Sequence, residues 1–318
     1  ISGTITFGDS SLDVGINNYL NAAPTSHCNN PPYGRIFDTG KPSGRFSDGE
    51  LISDIITTWK DSRSDFSPVK DLPLPYLDPT AKGDNLKFGI SFASGGPGLL
   101  NSTSELQNVA KVNLQISWFR EYKDKLKIVL GTEQKATQFL NDALYFIGEG
   151  SNDYAFKSLN LAESLTSIED FRNKLISNYK TYIEDIYSIG GRKFVIYGLT
   201  PIGCSPGLIT YNPLTRSCVD FLNNQAQEFN AYLVQLSKEL PGSQFIYLDN
   251  YAIFMDIIQN KFKYGFQVIN RGCCGTGLIE FGQLCNPLVG ACDDGSLYVY
   301  FDAAHGSLAT YNITATKL

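Results

Sequence analysis

The sequence predicts an α/β protein in which a parallel β-sheet is covered by helices on both faces. Five short apolar segments, each flanked by turn residues, are typical of buried strands. They span residues 4–8, 86–93, 144–148, 193–198 and 244–249. Helical or loop segments separate them, and this alternation favours parallel strands with both faces of the sheet buried.

Two of the intervening segments have clear helical periodicity. The helix predicted over 168–189 ends at Gly190, and a similar one over 219–240 ends before Pro241. The first has one buried face because its apolar side chains recur at steps of three or four; they are Phe171, Leu175, Tyr179, Ile183, Ile186 and Tyr187.

The organisation of the chain favours one domain over residues 1–318. An apolar content of 42% in 318 residues is enough for one large core, and neither a repeat nor a linker divides the sequence. Residues 17–85 and 261–298 read as two long irregular excursions. Loops of this length in a compact domain are usually functional or cross-linked.

The charge balance excludes some classes of partner. With 26 basic and 32 acidic residues the net charge is −6, and no basic stripe is present, so we expect no nucleic-acid partner. No apolar run reaches the length of a membrane span, so no transmembrane segment is expected. The chain begins at Ile1, and we expect that a leader has been removed or left out.

The seven cysteines favour disulfides over a metal site. Six of them lie in two short stretches: Cys204 and Cys218, then Cys273, Cys274, Cys285 and Cys292. No C-x-x-C pair occurs, and two adjacent cysteines fit tetrahedral zinc poorly. We expect Cys204 to pair with Cys218, whereas the other four allow three connectivities. Because seven is odd, one thiol is free or pairs outside the chain, and Cys28 stands apart from the others.

Disulfides indicate an oxidising compartment. Two sequons, at Asn101 and Asn312, are candidate acceptors of N-linked glycans. Together these features predict a secreted, extracellular protein, or one of another secretory compartment such as the vacuole.

Polar residues follow the predicted strands, at the sheet edge where ligands of parallel sheets bind. Ser10 follows the first strand and could be a nucleophile or a helix N-cap. His27 and His305 are the only histidines, so a histidine base must be one of them. Asp302 precedes His305 by three residues, a spacing that lets its carboxylate reach Nδ1 of the ring. A lone histidine is more often structural, but this carboxylate favours a Ser-His-Asp triad.

Two further edge positions are candidate donors to an oxyanion. Asn152 either caps a helix or donates its side-chain amide to the oxyanion. Gly95 and Gly96 either are ordinary turn residues or let a substrate carbonyl approach the backbone closely enough for an N–H to donate to it. The Ser10 amide would be a third donor. The nucleotide-binding glycine motifs are absent from the sequence.

Taken in order, these segments resemble the four sequence blocks of the SGNH/GDSL hydrolases. The blocks are Phe7-Gly8-Asp9-Ser10, Phe92-Ala93-Ser94-Gly95-Gly96, Gly150-x-Asn152-Asp153 and Asp302-x-x-His305. Four further segments are similar to the plant GDSL esterase/lipase branch, so that the resemblance covers nearly the whole chain: Pro31-Pro32-Tyr33-Gly34-Arg35, Gly44-Arg45-Phe46-Ser47-Asp48-Gly49, Pro201-Ile202-Gly203-Cys204 and Cys273-Cys274-Gly275.

The resemblance implies a three-layer α/β/α sandwich with a central parallel five-stranded sheet, the flavodoxin-like SGNH hydrolase fold. It implies Ser10 as nucleophile, Asp302 and His305 as its partners, and an oxyanion hole formed by Ser10, Gly96 and Asn152. It implies neither a metal nor a cofactor. The sequence departs from the family pattern at Ser11, at Ser91 and at Gly306-Ser307-Leu308.

The expected activity is hydrolysis of a small carboxylic ester through an acyl-enzyme on Ser10. The same residues would serve an acyltransferase that moves the acyl group to an alcohol acceptor. A third hypothesis is a catalytically silent binding or accessory protein, which the intact set of catalytic positions disfavours.

Overall fold

The computed structural model describes residues 1–37, 39–58, 72–157, 159–236, 239–281 and 284–317. In this part of the chain, six strands form one sheet and two more form a small second sheet. The strands are β1 (Thr4–Gly8), β2 (Leu74–Pro75), β3 (Gly89–Ser91), β4 (Leu144–Gly148), β5 (Lys193–Tyr197), β6 (Gln244–Leu248), β7 (Val268–Gly272) and β8 (Tyr298–Tyr300). The large sheet has the order β2-β3-β1-β4-β5-β6, and every neighbouring pair is parallel.

Helices fill the connections between these strands. They are α1 (Ile52–Thr58), α2 (Asn101–Gln107), α3 (Val112–Leu130), α4 (Glu133–Asp142), α5 (Ser151–Phe156), α6 (Leu161–Ser164), α7 (Ile168–Ile189), α8 (Pro206–Ile209), α9 (Asp220–Leu236), α10 (Asn250–Gln259) and α11 (Leu308–Ala315). The bounds of α7 are those predicted from its periodicity, with Ser167 accepting from the Asp170 amide at its start and Gly190 at its end.

The side chains of the central strands alternate between two cores. Tyr145 and Ile147 of β4 pack with α3, α4, α7 and α9, whereas Leu144 and Phe146 pack with α1, α10 and α11. A strand directs successive side chains to opposite faces, and here both faces are covered by helices. The architecture is therefore the predicted three-layer α/β/α sandwich.

The sheet has six strands where five were expected. The additional strand, β2, is only two residues long, contains Pro75 and lies at the sheet edge, where proline is tolerated and leaves little pattern in the sequence. The strand predicted over 86–93 is also shorter. Residues Gly83–Phe88 form a 3₁₀ helix, and a short apolar run does not distinguish a buried helical turn from a strand.

Two further expectations need correction. The helix predicted over 219–240 ends at Leu236; residues 237–238 of that prediction lie outside the described residues, and 239–240 form a bend. The excursion 261–298 is not wholly irregular, because it supplies β7, which pairs with β8 in the small sheet. The strand β8 therefore does not join the large sheet.

Three disulfides cross-link the cysteine-rich segments. The expected bond between Cys204 and Cys218 is present. The other four cysteines pair as Cys273–Cys292 and Cys274–Cys285. Cys28 is a buried free thiol. Within the described residues, no helix has both the length and the apolar character needed to cross a membrane.

Candidate active site

Ser10 lies two residues beyond the end of β1, at a turn that the surrounding backbone holds rigidly. Gly8 has φ 132°, and a Cβ there would lie 1.8 Å from the Gly148 carbonyl oxygen, so only glycine fits. The side-chain amide of Gln115 donates to the Gly8 carbonyl and its oxygen accepts from the Gly8 amide, both at 3.0 Å. The next helical turn begins only at Ile16, so Ser10 is not a helix N-cap.

A continuous set of hydrogen bonds joins Ser10 to two residues near the end of the chain. Nε2 of His305 lies 2.7 Å from Oγ of Ser10, and Nδ1 lies 2.8 Å from both carboxylate oxygens of Asp302. The Asp302 carboxylate also accepts from the amides of Ala304 and His305, at 2.9 and 2.8 Å. The structure thus brings together Ser10, His305 and Asp302.

The electrostatics of this pair favour a charged carboxylate beside a basic imidazole. Burial alone would raise the pKa of Asp302, but His305 and the two backbone amides hold it below its usual value. Burial would lower the pKa of His305, but attraction to Asp302, with a smaller contribution from Asp9, raises it above its usual value. With Asp302 ionised, the His305 proton belongs on Nδ1, and Nε2 is free to accept from Ser10.

The predicted oxyanion donors lie on the neighbouring turns. Gly96 has φ 100°, and a Cβ there would come within 3.1 Å of the Ser26 hydroxyl. Gly150 occupies the N-cap position of α5, so Asn152 does not cap that helix. Instead its Nδ2 donates to the carbonyl of Pro97 at 2.8 Å, one residue after Gly96. An amide carries two N–H donors, so this bond leaves the second one available.

The glycine turn is held by residues for which the sequence predicted no role. One oxygen of Asp13 accepts from the Gly95 amide at 2.7 Å, and the other accepts from Gly15 and Ile16, also at 2.7 Å. Nδ2 of Asn17 donates to the Gly95 carbonyl at 2.8 Å. These bonds fix the peptide on the N-terminal side of Gly96. The only signal in the sequence was that both polar residues closely follow Ser10.

Asp153 of α5 also holds the loop after Gly96 in place by hydrogen bonds. Its carboxylate accepts from the amides of Leu99 and Leu100 and from the hydroxyl of Thr103. Burial raises its pKa to about 6, although these three donors oppose the increase. Since Asp153 follows Asn152 directly, these bonds tie the Asn152 backbone to the loop that contains Gly96.

The remaining candidate residues lie away from this cluster or have structural contacts. The His27 ring pairs with the Ala22 carbonyl, so His305 is the histidine at Ser10. At the departures from the family pattern, Ser11 donates to Asp9, Ser91 donates to the Leu12 carbonyl, and Ser307 caps α11. The described residues contain no group of three or more His, Cys, Asp or Glu side chains arranged to hold a metal ion.

Comparisons with known proteins show the family to which the chain belongs. A profile of the GDSL-like lipase/acylhydrolase family matches residues 5–318. Among curated relatives from Arabidopsis thaliana, GDSL esterase/lipase At2g40250 is 36% identical, with 99% of this chain and 88% of the relative covered. GDSL esterase/lipase At5g42170 is 37% identical, with 100% and 85% covered. GDSL esterase/lipase EXL3 is 35% identical, with 100% and 86% covered. The chain therefore belongs to the GDSL-like lipase/acylhydrolase family of carboxylic ester hydrolases, in its plant esterase/lipase branch, and has the SGNH hydrolase fold.

Proposed function

We propose that the protein hydrolyses a carboxylic ester through an acyl-enzyme on Ser10, with His305 as general base and acid and Asp302 as its orienting carboxylate. The observation that carries the proposal is the pair of hydrogen bonds on the two ring nitrogens of His305, one to Ser10 and one to Asp302. This is the arrangement that activates a serine hydroxyl.

The first half of the reaction forms the acyl-enzyme. Nε2 of His305 takes the Ser10 proton as Oγ bonds to the ester carbonyl carbon. The imidazolium then gives this proton to the leaving oxygen as the ester C–O bond breaks, and the alcohol departs. In the second half, water loses a proton to His305 and attacks the acyl carbon, and Ser10 recovers a proton as the acid leaves.

Two buried carboxylates stabilise the imidazolium that forms in both halves. Asp302 bonds Nδ1 directly, and Asp9 acts through space from the residue next to Ser10. Because the site has a low dielectric constant, both attractions exceed those of the same charges in water.

The oxygen of the tetrahedral intermediate needs donors that are already in place. We assign this role to the amides of Ser10 and Gly96 and to the free N–H of Asn152. Throughout the described ranges, neither of the two backbone amides donates to a protein acceptor. The bonds that Asp13, Asn17 and Asp153 make to this region support the assignment, since preorganised donors need no rearrangement during the reaction.

An activity screen tests this function. Purified protein is assayed with p-nitrophenyl esters of short and long acyl chains, beside Ser10→Ala at the same concentration. We expect turnover with at least one chain length and none above background with the variant. Equal turnover by both proteins would contradict the proposal.

We further propose that the protein is one domain over residues 1–318 and works in an oxidising secretory compartment. The three disulfides support this location, since such bonds persist mainly outside the cytosol. Asn101 and Asn312 are both exposed, so each side chain could carry a glycan. A decrease in mass on treatment with an N-glycosidase, located by peptide mapping to these asparagines, tests the glycan assignment.

A further inference from the structure

The loop that contains Asp302 and His305 is contacted by an N-terminal segment to which no role was assigned above. We call residues 301–308 the acid–base loop, and residues 31–37 together with 39–48 the N-terminal strap. Tyr33 of the strap donates its hydroxyl to Oδ2 of Asp302 at 2.8 Å. The Phe46 ring lies against the His305 ring, with centroids 4.8 Å apart, and Oδ1 of Asp48 accepts from the Leu308 amide at 2.8 Å.

The Tyr33 side chain is held in place by contacts other than its hydrogen bond to Asp302. Its ring is 3% exposed and packs edge-on against Phe301 and Phe46, with centroids 5.3 and 6.4 Å apart. Arg35 anchors the strap to the disulfide-linked segment, donating to the Cys292 carbonyl at 2.6 Å. The tyrosine hydroxyl therefore approaches the carboxylate from a rigid, cross-linked support.

The hydroxyl completes the hydrogen bonding of the carboxylate. Oδ1 of Asp302 accepts from two backbone amides and from His305, whereas among the described residues the partners of Oδ2 are His305 and Tyr33 alone. Burial and the negative charge of Asp302 raise the pKa of Tyr33 well above its usual value, so the phenol remains a donor throughout the working pH range.

We propose that Tyr33 is a positioning residue for the reaction, which extends the hydrogen-bonded set of Ser10, His305 and Asp302 by a fourth member. The Tyr33 hydroxyl orients the Asp302 carboxylate and limits the basicity of that carboxylate. This inference rests on the proposed function, since it assumes the roles given to Asp302 and His305. The hydroxyl touches neither substrate nor Ser10, and it acts only through the carboxylate.

The consequence of removing the hydroxyl can be derived from charge alone. Without this donor the charge on Asp302 is less well stabilised, so the carboxylate attracts the imidazolium more strongly and the pKa of His305 rises. Among the described residues, the other titratable groups that interact with the pair are Asp9, Glu280, Cys28 and Tyr311. Tyr33→Phe keeps all four side chains, and of the four only Cys28 loses a contact with the Tyr33 hydroxyl. A carboxylate with one anchor fewer also holds the imidazole less firmly.

The test compares Tyr33→Phe with a matched control, Tyr300→Phe. Tyr300 is also buried and lies two residues before Asp302 in the sequence. Its hydroxyl has no hydrogen-bond partner among the described residues, so the control removes a phenol oxygen without removing a hydrogen bond. A second control, Cys28→Ala, removes the thiol that contacts the Tyr33 hydroxyl. Each protein is labelled with ¹⁵N-histidine and titrated by NMR, where His27→Gln identifies the His305 signals, and each is assayed with a p-nitrophenyl ester.

For Tyr33→Phe we expect the His305 pKa to rise by roughly 0.5 and kcat to fall about tenfold, with KM nearly unchanged. Tyr300→Phe and Cys28→Ala should titrate and turn over like the unmodified protein. An unchanged His305 titration and kcat in Tyr33→Phe, while Ser10→Ala abolishes turnover, would overturn the positioning role and leave the proposed function intact. Turnover that survives Ser10→Ala would remove the proposed function and the role of Tyr33 with it.

Discussion

Oγ of Ser10 and Nε2 of His305 lie 2.7 Å apart, although 295 residues separate them in the sequence. Ser10 is set by the parallel register of the sheet, in which Gly8 of β1 faces Gly148 of β4. His305 is set by a loop outside that sheet, which follows β8 of the small sheet and precedes α11. The site therefore forms only when both sheets and the loops between them have folded.

The pH dependence follows from the raised pKa of His305. A protonated imidazole does not accept the Ser10 proton, so activity is lost as the pH falls through the pKa of this histidine. Because attraction to Asp302 raises that pKa, we expect the acid limb of kcat/KM to have its midpoint above the ordinary value of 6.5. A pH profile with a fast-reacting ester measures it directly.

The control for this profile is Asp302→Asn, which removes the attracting charge. The acid midpoint should move to lower pH, because burial lowers the pKa of His305 and, of the two carboxylates that raise it, Asp9 alone remains charged. The maximal rate should fall by about 10⁴-fold. An acid midpoint that is the same in both proteins would show that Asp302 does not act on His305.

Removal of the Asn152 amide tests the oxyanion assignment. In Asn152→Ala we expect kcat to fall by roughly 10²–10³ with little change in KM, because the donor acts on charge that develops only in the transition state. Asn178→Ala is the matched control, since Nδ2 of Asn178 also donates to a loop carbonyl, that of Leu99. Equal kcat in the two variants, with similar losses in melting temperature, would mean that Asn152 only supports the loop.

The cysteines give a prediction that does not depend on activity. Non-reducing peptide mapping should recover the pairs Cys204–Cys218, Cys273–Cys292 and Cys274–Cys285, and Cys28 should react with a thiol reagent only after unfolding, because it is 2% exposed. The loops closed by these bonds span 11 to 19 residues, so loss of any one should cost roughly 3 kcal/mol of stability. Six reactive thiols in the native protein would contradict the pairing and the proposed compartment.

The choice between water and an alcohol as acyl acceptor is also measurable. The His305 side chain keeps 16% of its surface exposed and Ser10 is only partly buried, so water reaches both, and we expect hydrolysis to dominate with simple esters. The measurement is the ratio of free acid to new ester formed from one acyl donor as alcohols are added. New ester as the main product at millimolar alcohol would show a dedicated acceptor site and make the protein an acyltransferase.

Much of the fold could be predicted because its elements carry strong local patterns. The helix α7 has an apolar face and a glycine stop, so periodicity gave both of its ends. The strand β2 could not be predicted, because two residues including Pro75 form no pattern and pair only through contact with β3. The helix α9 was predicted too long because apolar Leu240 continues its pattern beyond Leu236, where the helix stops.

The candidate site could be predicted at positions whose residue type is itself typical of nucleophilic catalysis, as at Ser10, Asp302 and His305. The supporting residues were not, because their roles depend on contacts across the chain. Tyr33 meets Asp302 over a separation of 269 residues, and Asp13 meets Gly95 over 82. Tyr33 lay within a segment that supported the family resemblance, but nothing local indicated which atom its hydroxyl would bind.

The proposed function requires that Ser10 becomes covalently acylated, and labelling with a fluorophosphonate measures the reactivity of this hydroxyl. Intact-protein mass spectrometry of the labelled chain should show one added group, and peptide sequencing should place it on Ser10. Ser10→Ala should remain unlabelled, whereas Ser188→Ala, which removes an exposed hydroxyl on α7, should label fully. Labelling of Ser10→Ala at the rate of the unmodified protein would contradict the assignment of Ser10 as the nucleophile.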